Sequence, residues 1–180
     1  HALSHAVQRA GLEGGEVEDV VFGCAVQQGS AGFNVARQAA LRAGLPDTAS
    51  GMTIDRQCSS GLMAIATAAK QIVTDGMQVA VGAGVESISL VQNDHMNTHR
   101  MTDPWLVEHK PSIYLPMLQT AEIVAERYGV SRERQDEFAL LSQQRTAAAQ
   151  EGGRFGQEIV PLTSVKKVLD KQSGEVRDEE

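Results

Sequence analysis

The sequence predicts an α/β fold in which helices cover a parallel sheet, and three observations point there. From residue 1 to about residue 89, stretches of helical periodicity alternate with short apolar, β-branched runs. The segments between those runs are long enough to serve as crossover connections, which parallel pairing requires. The composition is that of a globular chain, with 42% hydrophobic and 22% charged residues. At 180 residues the chain suits one domain, or one domain with a substantial insertion. A domain of that size buries ~70% of its unfolded surface and folds without disulfides or a structural metal.

The elements follow in order. "HALSHAVQRAGL" reads as helix from the first residues, with Leu3, Ala6, Val7 and Ala10 on one face, and no initiator methionine precedes it. The chain is therefore expected to be a fragment beginning inside its first element. Gly11, Gly14 and Gly15 end that helix, and Val17 to Ala25 reads as a buried strand. "GSAGFN" is a glycine-rich loop in which Asn34 caps the helix "VARQAALRA"; Gly44 and Pro46 then stop it. "GMTID" is a short strand. After Cys58 a helix places Leu62, Ile65, Ala66, Ala69, Ile72 and Val73 on one apolar face and ends at Gly76. "MQVAVGAG" is a further buried strand.

The texture changes at Leu90. The next stretch, to Met117, holds three of the five prolines, the only tryptophan and three histidines without clear periodicity, the mark of a functional loop or an inserted domain. Two helices are expected after it: "TAEIVAERY", closed by Gly129, and "SRERQDEFALLSQQRTAAAQ", capped by Ser131. "QEIVPLTSV" reads as a strand and "LDKQSGEVRDEE" as a polar tail. The expected division is thus residues 1–89, with the alternating elements, and residues 90–180, the insertion.

Charge and cysteine usage narrow the function. A net charge of −7 argues against nucleic acid as a general partner. There is neither a signal peptide nor an apolar run of membrane-spanning length. Cys24 and Cys58 make no disulfide framework, which fits a reducing, cytoplasmic setting. Cys58 stands where a strand stops and a helix starts, in "TIDRQCSSGLMA". The amides of a helix start stabilise a thiolate, and they can also donate to a developing oxyanion. Ser59, Ser60 and Gly61 are small enough for a bulky thioester to approach. Most free cysteines are buried small hydrophobes, so spacing alone leaves both readings of Cys58 open. For Cys24, placed among apolar strand neighbours, the packing reading prevails.

"DRQCSSGLMA" resembles the nucleophile motif of the thiolases. "GSAGFNVARQAALRAGLP" is similar to that family's loop and helix ahead of the nucleophile strand, and "GAGVESIS" to its Gly-Gly-x-Glu-Ser-Met-Ser segment. "GVSRERQDEFALLSQQRTAAAQEGGRFGQEIVP" resembles its loop-domain helices. The resemblance covers all 180 residues, in order, and matches the N-terminal part of a thiolase. It implies a layered αβαβα fold, present here as an incomplete N-terminal half with part of the inserted loop domain. It implies that Cys58 is the catalytic nucleophile of a 3-ketoacyl-CoA thiolase, an acyl-CoA:acetyl-CoA C-acyltransferase of fatty acid metabolism. The substrates would be 3-ketoacyl-CoA, CoA and acetyl-CoA, with no metal and no other cofactor; no CoA-binding residue is assigned.

The family's Gly-His-Pro histidine, Asn-Glu-x-Phe-Ala asparagine and Cys-x-Gly-Gly-Gly cysteine are not in this sequence, so the chain by itself is expected to be inactive. A homodimer or homotetramer is implied, with Gly51 to Asp55 near a subunit interface and Met52 at the contact. Three positions depart from the pattern. Asp55 replaces an asparagine, serine or threonine, and Ala83 replaces a glycine. Pro116 replaces a histidine ahead of the retained Met117, which favours a broad 3-ketoacyl-CoA acyltransferase over an acetoacetyl-CoA-specific one. A ketoacyl synthase shares the fold and the cysteine nucleophile, but usually has alanine where this chain has Gln57. A non-catalytic thiolase-like scaffold is the other alternative.

Several further features have simpler readings. "GAG" at residues 82–84 has no third glycine and no convincing helix after it, as a dinucleotide fingerprint needs. His95 and His99 are four apart but have no third ligand at a metal spacing, so they are expected as solvated loop residues. Arg132, Glu133 and Arg134 read as an exposed helix start rather than a phosphate site. Trp105, Tyr114 and Met117 read as core.

Overall fold

The computed structural model describes residues 1–179, which fall into two compact units, His1–Thr98 and His99–Glu180. The first is a three-layer α/β arrangement. Its sheet has three parallel strands, β1 (Asp19–Gly23), β2 (Ser50–Ile54) and β3 (Ala80–Gly84), in the order β2-β1-β3. All five residues of β1 are buried, as expected for a central strand covered on both faces.

The alternation of β1 divides the core. Val20 and Phe22 point to one face, where Leu3 and Val7 of helix α1 (Ala2–Arg9) and Ala36 and Ala40 of α2 (Val35–Arg42) pack with them. Val21 points to the other, against Ala64 and Ala68 of α3 (Ser60–Lys70), with Met52, Ile54 and Ala80 alongside. A third small cluster joins Cys24, Ala31 and Val91, the last from α4 (Ile88–Val91). Residues 90–98 pack with this unit: the Asn97 N–H donates to Gln28 Oε1 at 2.7 Å.

The caps read from the sequence form. Asn34 Oδ1 accepts from the Arg37 N–H at 3.4 Å, and the same side chain takes the hydroxyl proton of Thr53 and donates to the Gly51 carbonyl. Asn34 sits in the left-handed region at φ 57°, which asparagine tolerates better than most residues.

The face of α3 differs from the expected one. Its sheet-facing side is the small-residue row Ser60, Ala64 and Ala68, while Leu62 and Ile65 are 72% and 56% exposed, and Val73, in the π-helical turn Gln71–Asp75 that follows, is 85% exposed. The cause is close approach. A side chain at Gly82 would stand 2.6 Å from the Ile65 Cα, so the helix backbone rests directly on β3 and only small residues fit beneath it. The helix is therefore apolar on both sides, and the large residues make up the side turned away from the sheet. Met52 is half-buried and packs against the Val21–Ala64–Ala68 cluster.

The second unit holds α5 (Pro104–His109), α6 (Met117–Tyr128), α7 (Arg132–Glu151) and an antiparallel hairpin of β4 (Lys166–Leu169) and β5 (Val176–Glu179). Gly129 closes α6 at φ 63°, and Ser131 Oγ caps α7 by accepting from the Arg134 N–H, both as the sequence predicts. The expected strand at residues 157–165 is absent and the expected polar tail is a hairpin instead. Pro161 removes a ladder donor from the apolar run. In the tail, Asp170 accepts from the Gln172 and Ser173 amides and Gly174 takes φ 74°, which together build the turn. Those two amides hold the Asp170 carboxyl below the usual carboxylate range.

Candidate functional site

The carboxyl ends of the three parallel strands converge on one place, and the strand order 2-1-3 puts a switch of direction between β1 and β3. Open α/β sheets bind ligands at such a point. Gly23 and Gly84, the last residues of β1 and β3, are paired neighbours there. Between β2 and α3 the chain makes the tight turn that carries Cys58.

That turn is knitted by its own polar groups. Asp55 Oδ1 accepts from the Gln57 N–H at 2.7 Å. Ser60 Oγ, on a residue only 4% exposed, accepts from the Arg56 N–H at 2.8 Å and donates to the Gln57 carbonyl at 2.5 Å. The Ser59 hydroxyl donates to the Arg56 carbonyl at 2.8 Å. These bonds hold Gln57 at φ 49°, a left-handed conformation that costs a non-glycine residue on the order of 1–2 kcal/mol. Backbone strain of this kind persists only where the surroundings over-determine it. The result is a thiol lifted out of the strand and left exposed at the start of α3.

Cys58 opens onto a cleft of about 530 Å3 lined by Gly23, Val26, Gly61, Glu86, Ile88 and Gln92 among others. Cys24 lies just past the end of β1 and is 1% exposed. Burial pushes its thiol pKa up, and the nearby Glu86 carboxylate pushes it further. The Cys24 thiol donates to Glu86 Oε1 at 3.5 Å and to the Val26 carbonyl at 3.7 Å. The two cysteines are thus in opposite situations, one exposed and one enclosed beside an anion. Brief treatment of the folded protein with iodoacetamide at neutral pH, followed by peptide mapping, is expected to modify Cys58 well ahead of Cys24. Equal labelling of the two would overturn this contrast.

Among the described residues, no three His, Cys, Asp or Glu side chains gather as metal ligands would, and His95 and His99 are exposed. Trp105, Tyr114 and Met117 are not core: all three are exposed, Trp105 stacks on His109 at 4.3 Å, and Tyr114 Oη accepts from the Asp103 N–H. With no large apolar layer over them, they lack the packing that their size led the sequence to suggest. Arg132 is held by Asp136 in a bidentate pair at 2.7 and 3.1 Å, and Arg134 by Glu137 at 3.0 Å, both on the exposed start of α7. Ser60 and Glu86 went unnoticed as site residues. The first looks like one more small residue in the motif. The second offered two signals: it is the glutamate of the segment similar to Gly-Gly-x-Glu-Ser-Met-Ser, and a lone carboxylate two residues past a strand end.

Comparison with known proteins gives the family. The family model described as "Thiolase, N-terminal domain" matches residues 1–180. A 3-ketoacyl-CoA thiolase of Bacillus subtilis is 41% identical over 161 residues, covering 89% of this chain and 40% of that protein. An acetyl-CoA acetyltransferase of Rhizobium meliloti is 39% identical over 170 residues, covering 89% of this chain and 43% of that protein. A beta-ketoadipyl-CoA thiolase of Pseudomonas aeruginosa is 41% identical over 169 residues, 85% of this chain and 42% of that protein. The crystal structure of the Bacillus anthracis acetyl-CoA acetyltransferase superimposes with a TM-score of 0.72 at 37% identity, covering 99% of this chain and 46% of that one. The chain therefore spans less than half the length of these relatives, and no helix among its described residues is long and apolar enough to cross a membrane. In sequence and in fold, this chain belongs to the thiolase family, as its N-terminal domain.

Proposed function

We propose that this chain supplies the nucleophile of a 3-ketoacyl-CoA thiolase, an acyl-CoA:acetyl-CoA C-acyltransferase, and that the nucleophile is Cys58. The observation that carries the reading is the exposed thiol on a strained, hydrogen-bonded turn, facing a cleft at the carboxyl ends of the strands. In the degradative direction the Cys58 thiolate attacks the 3-keto carbonyl of a 3-ketoacyl-CoA. The C2–C3 bond breaks, the electron pair leaves on C2 as the acetyl-CoA enolate, and a proton delivered to C2 completes acetyl-CoA. The acyl group remains on sulfur as a thioester. The thiol of CoA then attacks that thioester, loses its proton, and leaves as acyl-CoA, regenerating Cys58. The steps balance without a redox cofactor, and the covalent intermediate divides one difficult step into two easier ones.

The division into a nucleophile-bearing part, residues 1–89, and an inserted loop region from residue 90 belongs to the same reading, as does a cytoplasmic setting. Its direct test is mass spectrometry of the full-length enzyme and of its peptides after incubation with acetoacetyl-CoA. One acetyl group on the Cys58 peptide is the expected product; an acetyl group on another residue instead would refute the assignment.

The same reading makes the working enzyme a homodimer or homotetramer paired near β2. Two features support it: β2 is an edge strand, and Phe33 beside it is 99% exposed with φ 59°. A bulky residue held in that conformation and left bare is suited to a protein contact. Phe33→Asp is expected to lower the molar mass seen by light scattering on dilution, with the circular dichroism spectrum unchanged. An unaltered mass would place the contact elsewhere.

A further inference from the structure

The sheet stops supplying hydrogen-bond acceptors where the cleft begins. The Gly23 carbonyl still accepts from the Val85 N–H, and the Cys24 N–H still donates to the Ile54 carbonyl, each at 3.0 Å. The next two amides turn away from the ladder. The Ala25 N–H donates to Glu86 Oε2 at 2.8 Å and the Val26 N–H to Glu86 Oε1 at 3.2 Å. The Cys24 thiol donates to the same Oε1. Three donors from the segment after β1 thus converge on one carboxylate from the segment after β3. Both segments line the cleft that Cys58 faces.

We propose that Glu86 is a positioning residue for the Cys58 cleft: its carboxylate replaces the sheet acceptors that β1 lacks beyond Cys24, and so fixes the backbone of residues 24–26 as one wall of that cleft. An ionised carboxylate suits this because both of its oxygens accept and neither donates, and charge-assisted bonds to amides are about twice as strong as neutral ones. The same charge, together with that of Asp55, adds to burial in keeping the Cys24 thiol protonated. A second sulfur close to the site is thereby held out of thiol chemistry. The effect on chemistry rests on the reading of Cys58 as the nucleophile; the effect on the wall does not.

Glu86→Gln is the informative variant, because its amide has one acceptor oxygen and turns its NH2 toward one of the two backbone donors. Hydrogen exchange followed by NMR on the chain is expected to show the Ala25 and Val26 amides exchanging about tenfold faster, the size of one net hydrogen bond. Exchange at Val20 and Val21 stays at the wild-type rate. In a Cys58→Ser background, where Cys24 is the sole thiol, thiolate absorbance is expected to titrate at lower pH in Glu86→Gln than in the protein with Glu86. Glu86→Asp keeps the charge with a shorter reach, and is expected to hold the Cys24 titration closer to wild type while losing amide protection.

In the full-length enzyme, the rate of Cys58 acylation by acetoacetyl-CoA is expected to fall about tenfold in Glu86→Gln at saturating thioester, with half-saturation little changed. Unchanged exchange at both amides, or equal acceleration at Val20 and Val21, would overturn the proposal. So would wild-type acylation by a Glu86→Gln protein whose wall amides are loosened. If the wild type is not acylated at all, the thiolase reading fails, and the exchange and titration results still decide the role of Glu86 in the wall.

Discussion

Replacing Cys58 by serine is expected to abolish the acyl-enzyme and to lower kcat of the intact enzyme on the order of 10⁴-fold or more, with KM little changed. The side chains are nearly isosteric, and the turn is held by Asp55, Ser59 and Ser60 rather than by the thiol, so the fold should survive the exchange. What is lost is the nucleophile. A serine hydroxyl lacks the few per cent of anion that a thiol carries near neutral pH, and the hydrogen bonds of this turn bring no base to residue 58. The substrate still meets the same cleft, which is why binding should persist. Steady-state kinetics paired with mass spectrometry checks both halves. A serine variant that turns over within tenfold of wild type would show that the acyl group is carried elsewhere.

Much of this site was legible in the sequence because its parts are local. A strand run, a cysteine, three small residues and a helical apolar pattern follow one another between Thr53 and Ile72, and local order predicts the turn between β2 and α3. Caps were legible for the same reason: Asn34 and Ser131 act on amides three residues away. What depends on distant partners was hidden. The burial of Ala64 and Ala68 ahead of Leu62 and Ile65 is decided by Gly82 on another strand, which periodicity within α3 does not contain. Glu86 meets amides sixty residues away in the chain. At the C-terminal end the apolar pattern of residues 157–165 was outweighed by Pro161, while the hairpin formed where Asp170 and Gly174 supply a turn.

Gly23→Ala is the second change with a large expected effect, and it probes how the turn is held at all. A Cβ at residue 23 would lie 2.1 Å from the Ser60 carbonyl carbon, 2.3 Å from its oxygen and 2.4 Å from the Gly61 nitrogen. All three are backbone atoms of the first turn of α3, so no side-chain rotation relieves the overlap. The helix start must retreat from β1 by an ångström or more, and it takes with it the Ser60 hydroxyl that clamps Arg56 and Gln57. Overpacking of this kind costs typically 1–3 kcal/mol of stability. The larger consequence falls on chemistry, where a displacement of about 1 Å at a reacting group can cost 10²-fold. Gly82→Ala is the control. Its Cβ would meet the Ile65 Cα at 2.6 Å, again backbone, but in the middle of α3 and away from the Cys58 turn. Both variants are expected to lower Tm, and only Gly23→Ala is expected to slow Cys58 acylation about a hundredfold. Equal acylation rates in the two, at comparable loss of stability, would mean that Gly23 serves packing alone and that the seat of α3 on β1 does not set the position of the thiol.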